Sequence, residues 1–291
     1  MSRGLDHIVH AVRDLDAAAE FYRKLGFTVG ARNKHPWGTH NHIVQLPGFF
    51  IEILTVAEPD LLGRDSHYAD LSSLFGAFNR EAIARHDGFS TLILESRAIA
   101  ADVSALAQVG IGCSGELPFT RQGSQPDGTP TTVGFSLGFV RDESSPHVAF
   151  AVMQQHNPQA FWNAAFQSHE NTASAVLGAV LIADNPTDHH IFLTAFTGER
   201  ELRSTSSGLV ASTPRGDMEI IEPVAFRDRY GVTVVAEGEG MTLAGLRVGV
   251  KSLDTVETVA RRHGVILHRQ LNNLVARPEV AFGATIVFEA A

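Results

Sequence analysis

A chain of 291 residues, 44% apolar and 19% charged, is long enough for two packed domains and too apolar for disorder. Its formal charge is −9, and the 23 basic residues form no stripe, which argues against nucleic acid or an anionic membrane as a partner. The single cysteine, Cys113, excludes an internal disulfide framework and a CxxC metal site, and no signal-peptide core or bilayer-spanning apolar run is present, so a cytoplasmic protein is expected.

The first element, Leu5–Val12, reads as a strand rich in β-branched residues. Asp14 or Asp16 then offers a helix N-cap, and Ala18, Phe21, Tyr22 and Leu25 lay one apolar stripe on a short helix. Gly26 stops that helix where a left-handed residue is needed, and Phe27-Thr28-Val29 is expected to begin another strand. Two more strands, His42–Leu46 and Phe49–Leu54, flank the turn Pro47-Gly48. The unit is therefore strand, helix, then three strands.

A weaker copy runs from Phe89–Leu94 through a helix ending at Gly110 to strands near Val133–Leu137 and Val148–Val152. Within it, Arg121–Thr132 reads as a long loop over a site or an exposed hairpin. Residues 159–171 lack a strand period and read as a connection between domains spanning 1–158 and 172–291. A third copy runs from Val176–Ile182 past Asn185-Pro186 to strands near Leu209–Ala211 and Met218–Ile221. The fourth repeats the first at an offset of 238, carrying Leu5, Leu15, Asp16 and Gly26 onto Leu243, Leu253, Asp254 and Gly264. Its helix stripe falls on Val256, Val259, Ala260 and His263. One such unit cannot cover both faces of its sheet, so units should pair and leave a concave, ligand-sized surface.

Leu5-Asp6-His7-Ile8-Val9, Val12-Arg13-Asp14-Leu15, Phe21-Tyr22 and Leu25-Gly26-Phe27 resemble the opening of the vicinal-oxygen-chelate superfamily. His35–Asn41 followed by Phe50–Leu54 resembles its glyoxalase-like branch. The resemblance implies an α+β fold of four βαβββ modules, paired into two glyoxalase-like domains with curled mixed sheets. It also implies a divalent ion (zinc, iron, manganese or nickel) held by a first-strand histidine and a last-strand glutamate, the positions of His7 and Glu52. Glu52 is also the expected catalytic group. The second module places Thr91 at the histidine position and Met153 or Gln154 at the glutamate position; the second domain has Gly245 and either Leu177 or Gly178 for histidine, with Glu219 and Glu289 on last strands. A metal is therefore expected in the first domain, completed by His40, His42 or His156.

His40, Asn41, Gln154 and His156 are the expected substrate-binding residues, with His169 also within reach of a first-domain cavity. His189 and His190 diverge at a helix start and do not suggest a metal pair, and Cys113 reads as an inert thiol. The leading expectation is a metal-assisted lyase or isomerase acting on a small oxygenated molecule, with ring-cleaving oxygenation disfavoured. The alternative is a non-catalytic binder of the bleomycin-resistance type. Self-association as a homodimer stays open.

Overall fold

The structure is a computed structural model that describes residues 1–291 except 125–127, 235–237 and 239. Its α+β architecture is built on two mixed sheets. The first contains β1 (Leu5–Ala11), β2 (Asn33–Lys34), β3 (Thr39–Leu46), β4 (Phe49–Val56), β5 (Gly88–Glu95), β6 (Gly112–Cys113), β7 (Leu117–Ser124), β8 (Pro130–Arg141) and β9 (Ala149–Gln155). Its order is β2-β3-β4-β1-β5-β9-β8-β6, with β7 paired to β8. The second contains β10 (Ala173–Ile182), β11 (Arg203–Thr205), β12 (Gly208–Ser212), β13 (Asp217–Ile221), β14 (Thr242–Val250), β15 (His268–Gln270), β16 (Asn273–Ala276) and β17 (Thr285–Ala290), in the order β11-β12-β13-β10-β14-β17-β16-β15. Each sheet is two modules joined antiparallel through their first strands, β1 to β5 and β10 to β14, and each first strand pairs parallel with its module's last.

Strand alternation sends opposite faces of each sheet into different cores. The helix-bearing faces of both sheets join one large core, to which Leu5, Ile8, Phe21 and Tyr22 belong from the first domain and Leu181, Phe196, Val256 and Phe288 from the second. The other faces form separate clusters, one containing Val9, Phe50, Phe75 and Phe135, the other Val180, Phe226 and Tyr230. The domains thus meet back to back, with their concave faces turned away from each other.

The opening helix, Leu15–Lys24, is capped by Asp14, whose side chain accepts from the Ala17 N–H; its stripe residues are buried. Val256, Val259 and Ala260 are likewise buried in the helix Leu253–Arg262, whereas His263 follows that helix and is exposed. No strand forms at Phe27-Thr28-Val29; the Phe27 ring packs on His169 and Phe288 while the chain runs on to β2. Arg121–Ser124 and Pro130–Thr132 pair in the β7–β8 hairpin, and 125–127 lie outside the described residues. Between β4 and β5 the chain makes a helical excursion, including a π-helix at Ser72–Ala77 and an α-helix at Phe78–Arg85.

Gly26 has φ +85°, and a Cβ there would lie 2.8 Å from Val259 Cγ1 and 2.9 Å from the Asn171 nitrogen. The first helix can therefore turn against the second domain only through a residue without a side chain. Gly26→Ala is expected to destabilise the protein by about 1–2 kcal/mol through backbone conformation alone, and further through contact. A urea midpoint unchanged from wild type would contradict this.

Candidate functional site

β1 and β4 run parallel with Val9 opposite Glu52 and His7 opposite Phe50. Alternation then aims His7, Phe50 and Glu52 at the same concave face. His7 Nε2 lies 3.9 Å from Glu52 Oε2, and the His7 ring stacks on Phe50 with centroids 4.2 Å apart. His7 Nδ1 is 2.7 Å from Asp6 Oδ1. An ionised carboxylate only accepts, so Nδ1 carries the proton and Nε2 keeps its lone pair for the cavity. Asp6 is itself held by Gln155, whose Nε2 donates to Oδ2 at 3.1 Å.

Glu52 has two further neighbours that fix it. Asn41 Nδ2 donates to Oε1, and His35 Nε2 stands 3.9 Å from the same oxygen. Burial raises the Glu52 carboxyl above its ordinary value, with His7, Asn41 and Arg121 opposing that shift. Desolvation also lowers His35 to about 3, assisted by the nearby Arg121 charge. The His35 ring stacks on Trp37 at 4.6 Å and bonds Thr39 Oγ1 through Nδ1 at 2.8 Å.

These groups line a cavity of about 470 Å³, counting its open mouth. Its remaining walls are largely apolar: Phe50, Phe119, Phe135 and Phe161 with Leu137 and Met153, roofed by Leu71 and Phe75 of the helical excursion. Arg121 adds one cation. Apolar walls around a few convergent polar groups are typical of small-molecule sites.

Not every expected site residue reaches this cavity. Asn41 lines it, but His40 is the next residue on β3 and points to the opposite face. There His40 Nε2 meets Glu58 at 2.7 Å, and Nδ1 accepts from Arg32 Nε at 3.1 Å. His42 shares the His40 face and bonds the Gly30 carbonyl. Gln154 accepts from the Ile99 N–H at a helix start, and His156 bonds Ser136 at 2.8 Å; neither lines the cavity. His169 clamps two segments, accepting from the Thr28 N–H and donating to the Gln45 carbonyl. Buried His189 lies 3.3 Å from Asp142. The Cys113 thiol is pushed up to about 11 by burial, as expected of an inert cysteine.

Sequence reasoning missed His35 as a cavity group in its own right, placed Arg121 only as the start of a loop over a site or an exposed hairpin, and missed Leu71 and Phe75 altogether. Only Arg121 carried a usable signal: a basic residue two positions after Phe119 in a hairpin shares its face.

A family model described as glyoxalase-like domain matches residues 5–197. The chain belongs to this family, within the vicinal-oxygen-chelate superfamily. Among solved structures, a hypothetical protein from Staphylococcus aureus superposes with a TM-score of 0.68 at 12% identity, covering 99% of this chain and 100% of that one. A mutant of 4-hydroxymandelate synthase from Streptomyces coelicolor gives 0.58 at 10% identity, covering 99% and 92%. A xylose isomerase-like TIM barrel/4-hydroxyphenylpyruvate dioxygenase fusion protein gives 0.56 at 11% identity, covering 99% and 49%. These likenesses are of fold. No curated protein matches the chain.

The glyoxalase-like resemblance implies a divalent metal, but the donors here do not fit one. Register carries His7 onto Thr91 and Glu52 onto Ala151 in the second module, because Ile93, opposite Ala151, takes the place of Val9. The glutamate position is thus Ala151 rather than Met153 or Gln154, and the partner module contributes no ligand. His7 and His35 approach different oxygens of Glu52. Among the described residues, no group of three or more His, Cys, Asp or Glu side chains is arranged to hold a metal ion.

The second domain's concave face is filled. Val180 lies opposite Glu219 and Gly178 opposite Asp217, so Gly178 takes the His7 position and Glu219 that of Glu52. A Cβ on Gly178 would lie 3.2 Å from Arg247 Nη1, so a guanidinium occupies the space beside this position. Arg247 also pairs with Glu219 and forks onto Glu289 at 2.7 and 2.9 Å, and Arg229 holds the other Glu219 oxygen at 2.6 Å. In the fourth module the register position of Glu52 falls on Val287, two residues before Glu289.

His10 lies on the helix side of β1, bonding Tyr22 Oη at 2.9 Å and the Phe282 carbonyl at 2.8 Å, and burial lowers it to about 4. His10 and His35 are thus neutral when folded, while unfolding returns them to about 6.5 and lets them take up protons. Stability present above pH 6.5 should fall as the pH drops toward their folded values of about 4 and about 3. The melting temperature of His35→Gln should decline less steeply than wild type across this window; parallel curves would contradict the assignment.

Proposed function

We propose that this chain is a proton-transferring enzyme, an isomerase or lyase, acting on a small oxygen-bearing molecule in the first-domain cavity. One observation carries the reading: an imidazole oriented by a carboxylate faces a carboxyl group 3.9 Å away inside an apolar hollow. His7 Nε2, with its lone pair free, accepts a proton from a carbon next to the substrate carbonyl. Glu52, whose carboxyl burial raises above its ordinary value, is the acid and gives its proton to the carbonyl oxygen. The product is an enol. Where that enol is conjugated or carries a second hydroxyl, His7 returns its proton to the other end of the system and Glu52 recovers the enol proton. This completes an isomerisation, restores both residues and requires no oxidant.

The test is solvent-deuterium incorporation, followed by proton NMR, into benzylpyruvate and its methyl ester. Wild type should exchange the carbon-bound proton of at least one probe. His7→Gln should slow that exchange by about 100-fold or more, as expected for loss of a positioned base. Because the donors do not form a metal cluster, chelator dialysis should leave the rate unchanged. A rate abolished by chelation and restored by zinc, iron, manganese or nickel would replace this mechanism with a metal-dependent one.

The aromatic lining favours a second reading, sequestration without chemistry. It predicts ligand-induced stabilisation in wild type and His7→Gln alike, with no exchange in either.

A further inference from the structure

Arg121 lies on β7 two residues beyond Phe119, and both side chains line the cavity. Its hydrogen bond is to Asn33, with Nη1 3.1 Å from Oδ1. Among the described residues, no carboxylate forms an ion pair with it. A guanidinium withdrawn from water into apolar surroundings is costly unless an anion and matching acceptors satisfy it. The second domain displays the satisfied case, for Arg247 and Arg229 there hold Glu219 and Glu289 directly. The cation in the first domain is left facing the cavity.

Its position relative to the acid–base pair is also set. Arg121 donates to Asn33, Asn33 Nδ2 donates to Asn41 Oδ1 at 3.0 Å, and Asn41 donates to Glu52. This relay ties the guanidinium to the carboxyl group through two amides rather than through a direct salt bridge. An anion on Arg121 therefore sits near Glu52 without displacing it.

We infer that the cavity's ligand carries an anionic carboxylate that docks on Arg121, while an aromatic or aliphatic body packs among Phe50, Phe135 and Phe161. The inference rests on the first-domain cavity being the small-molecule site, and it deepens that reading by naming the substrate class: an organic acid with an apolar body. Burial raises the Glu52 carboxyl above its ordinary value, which lessens its repulsion of an incoming carboxylate. Planar, bidentate recognition of a carboxylate is the chemistry for which arginine is suited.

The test compares hydrocinnamate with its neutral analogue hydrocinnamamide by isothermal titration calorimetry. Wild type should bind the acid about 10–100-fold more tightly than the amide, the range expected for a charge-assisted hydrogen-bonded pair. Arg121→Gln should abolish that preference while leaving amide affinity within about two-fold, and Arg121→Lys should retain part of it, since it keeps the charge but loses the fork. Equal affinity of acid and amide in wild type, no binding of the acid, or a preference that survives in Arg121→Gln would each overturn the inference. Should Arg121→Gln fail to fold, a full preference retained in Arg121→Lys would overturn the bidentate docking. His7→Gln separates this outcome from failure of the proposed function. It should keep the acid preference, so preference without exchange would remove the chemistry and leave the anion site standing.

Discussion

Glu52→Gln is expected to slow deuterium exchange by about 100- to 10,000-fold, the range for loss of a positioned acid or base. The amide keeps the shape of the carboxyl and can accept from Asn41, so the cavity should keep its form. Ligand affinity should therefore change little while the exchange rate collapses, the pattern of a group needed in the transition state rather than for uniform binding. Stability should move the other way. A carboxyl raised by burial holds its proton more tightly when folded, so its favourable contribution is full below 4.5 and is lost as the pH rises through the folded value. The glutamine variant escapes that loss. Its melting temperature should gain on wild type as the pH climbs above 4.5, and a constant difference would contradict a buried, perturbed Glu52.

Arg247→Ala should have the largest effect on stability. It leaves Glu219, whose side chain is 4% exposed, and Glu289, at 18%, without their shared cation. Breaking such a pair from one side costs about 3–5 kcal/mol, because the uncompensated charges stay behind. In a protein of this size that corresponds to a melting temperature lower by roughly 10 °C. Replacing Arg247 with methionine and Glu289 with glutamine should recover most of the loss, since Glu219 then keeps Arg229 as its partner and no unpaired charge remains. A loss below about 1 kcal/mol in Arg247→Ala would mean that the network is well solvated and worth no more than surface pairs.

The repeat was legible in the sequence because it is written in features that local physics demands. A cap, an apolar stripe and a terminating glycine recur at one offset, and Asp14 and Gly26 do in the structure what their residue types allow. The convergence of His7 and Glu52 was legible through the superfamily resemblance and strand alternation. His40 illustrates the limit. It precedes Asn41 on a continuous strand, so only one of the two can face the cavity, and strict alternation would have separated them. Gln154 is subject to the same rule beside Met153.

Other parts of the cavity had no comparable signal. Leu71 and Phe75 reach it from an excursion that belongs to no βαβββ unit and includes a π-helical turn, whose period matches neither strand nor α-helix. Glu219 stands where Glu52 stands, yet its role is opposite, because Arg247 from β14, across β10, fills the hollow in front of it. That outcome depends on which side chains meet across the sheet. One module's sequence does not contain it.

The most direct test of the account is a carbon-13 NMR titration of the Glu52 side-chain carboxyl in glutamate-labelled protein, with Glu52→Gln supplying the assignment. In wild type this resonance should titrate above 4.5, and in His7→Gln it should titrate higher still, because His7 no longer opposes the upward shift that burial imposes. A carboxyl that titrates at 4.5 and ignores the loss of His7 would show that the two side chains do not share one dry hollow.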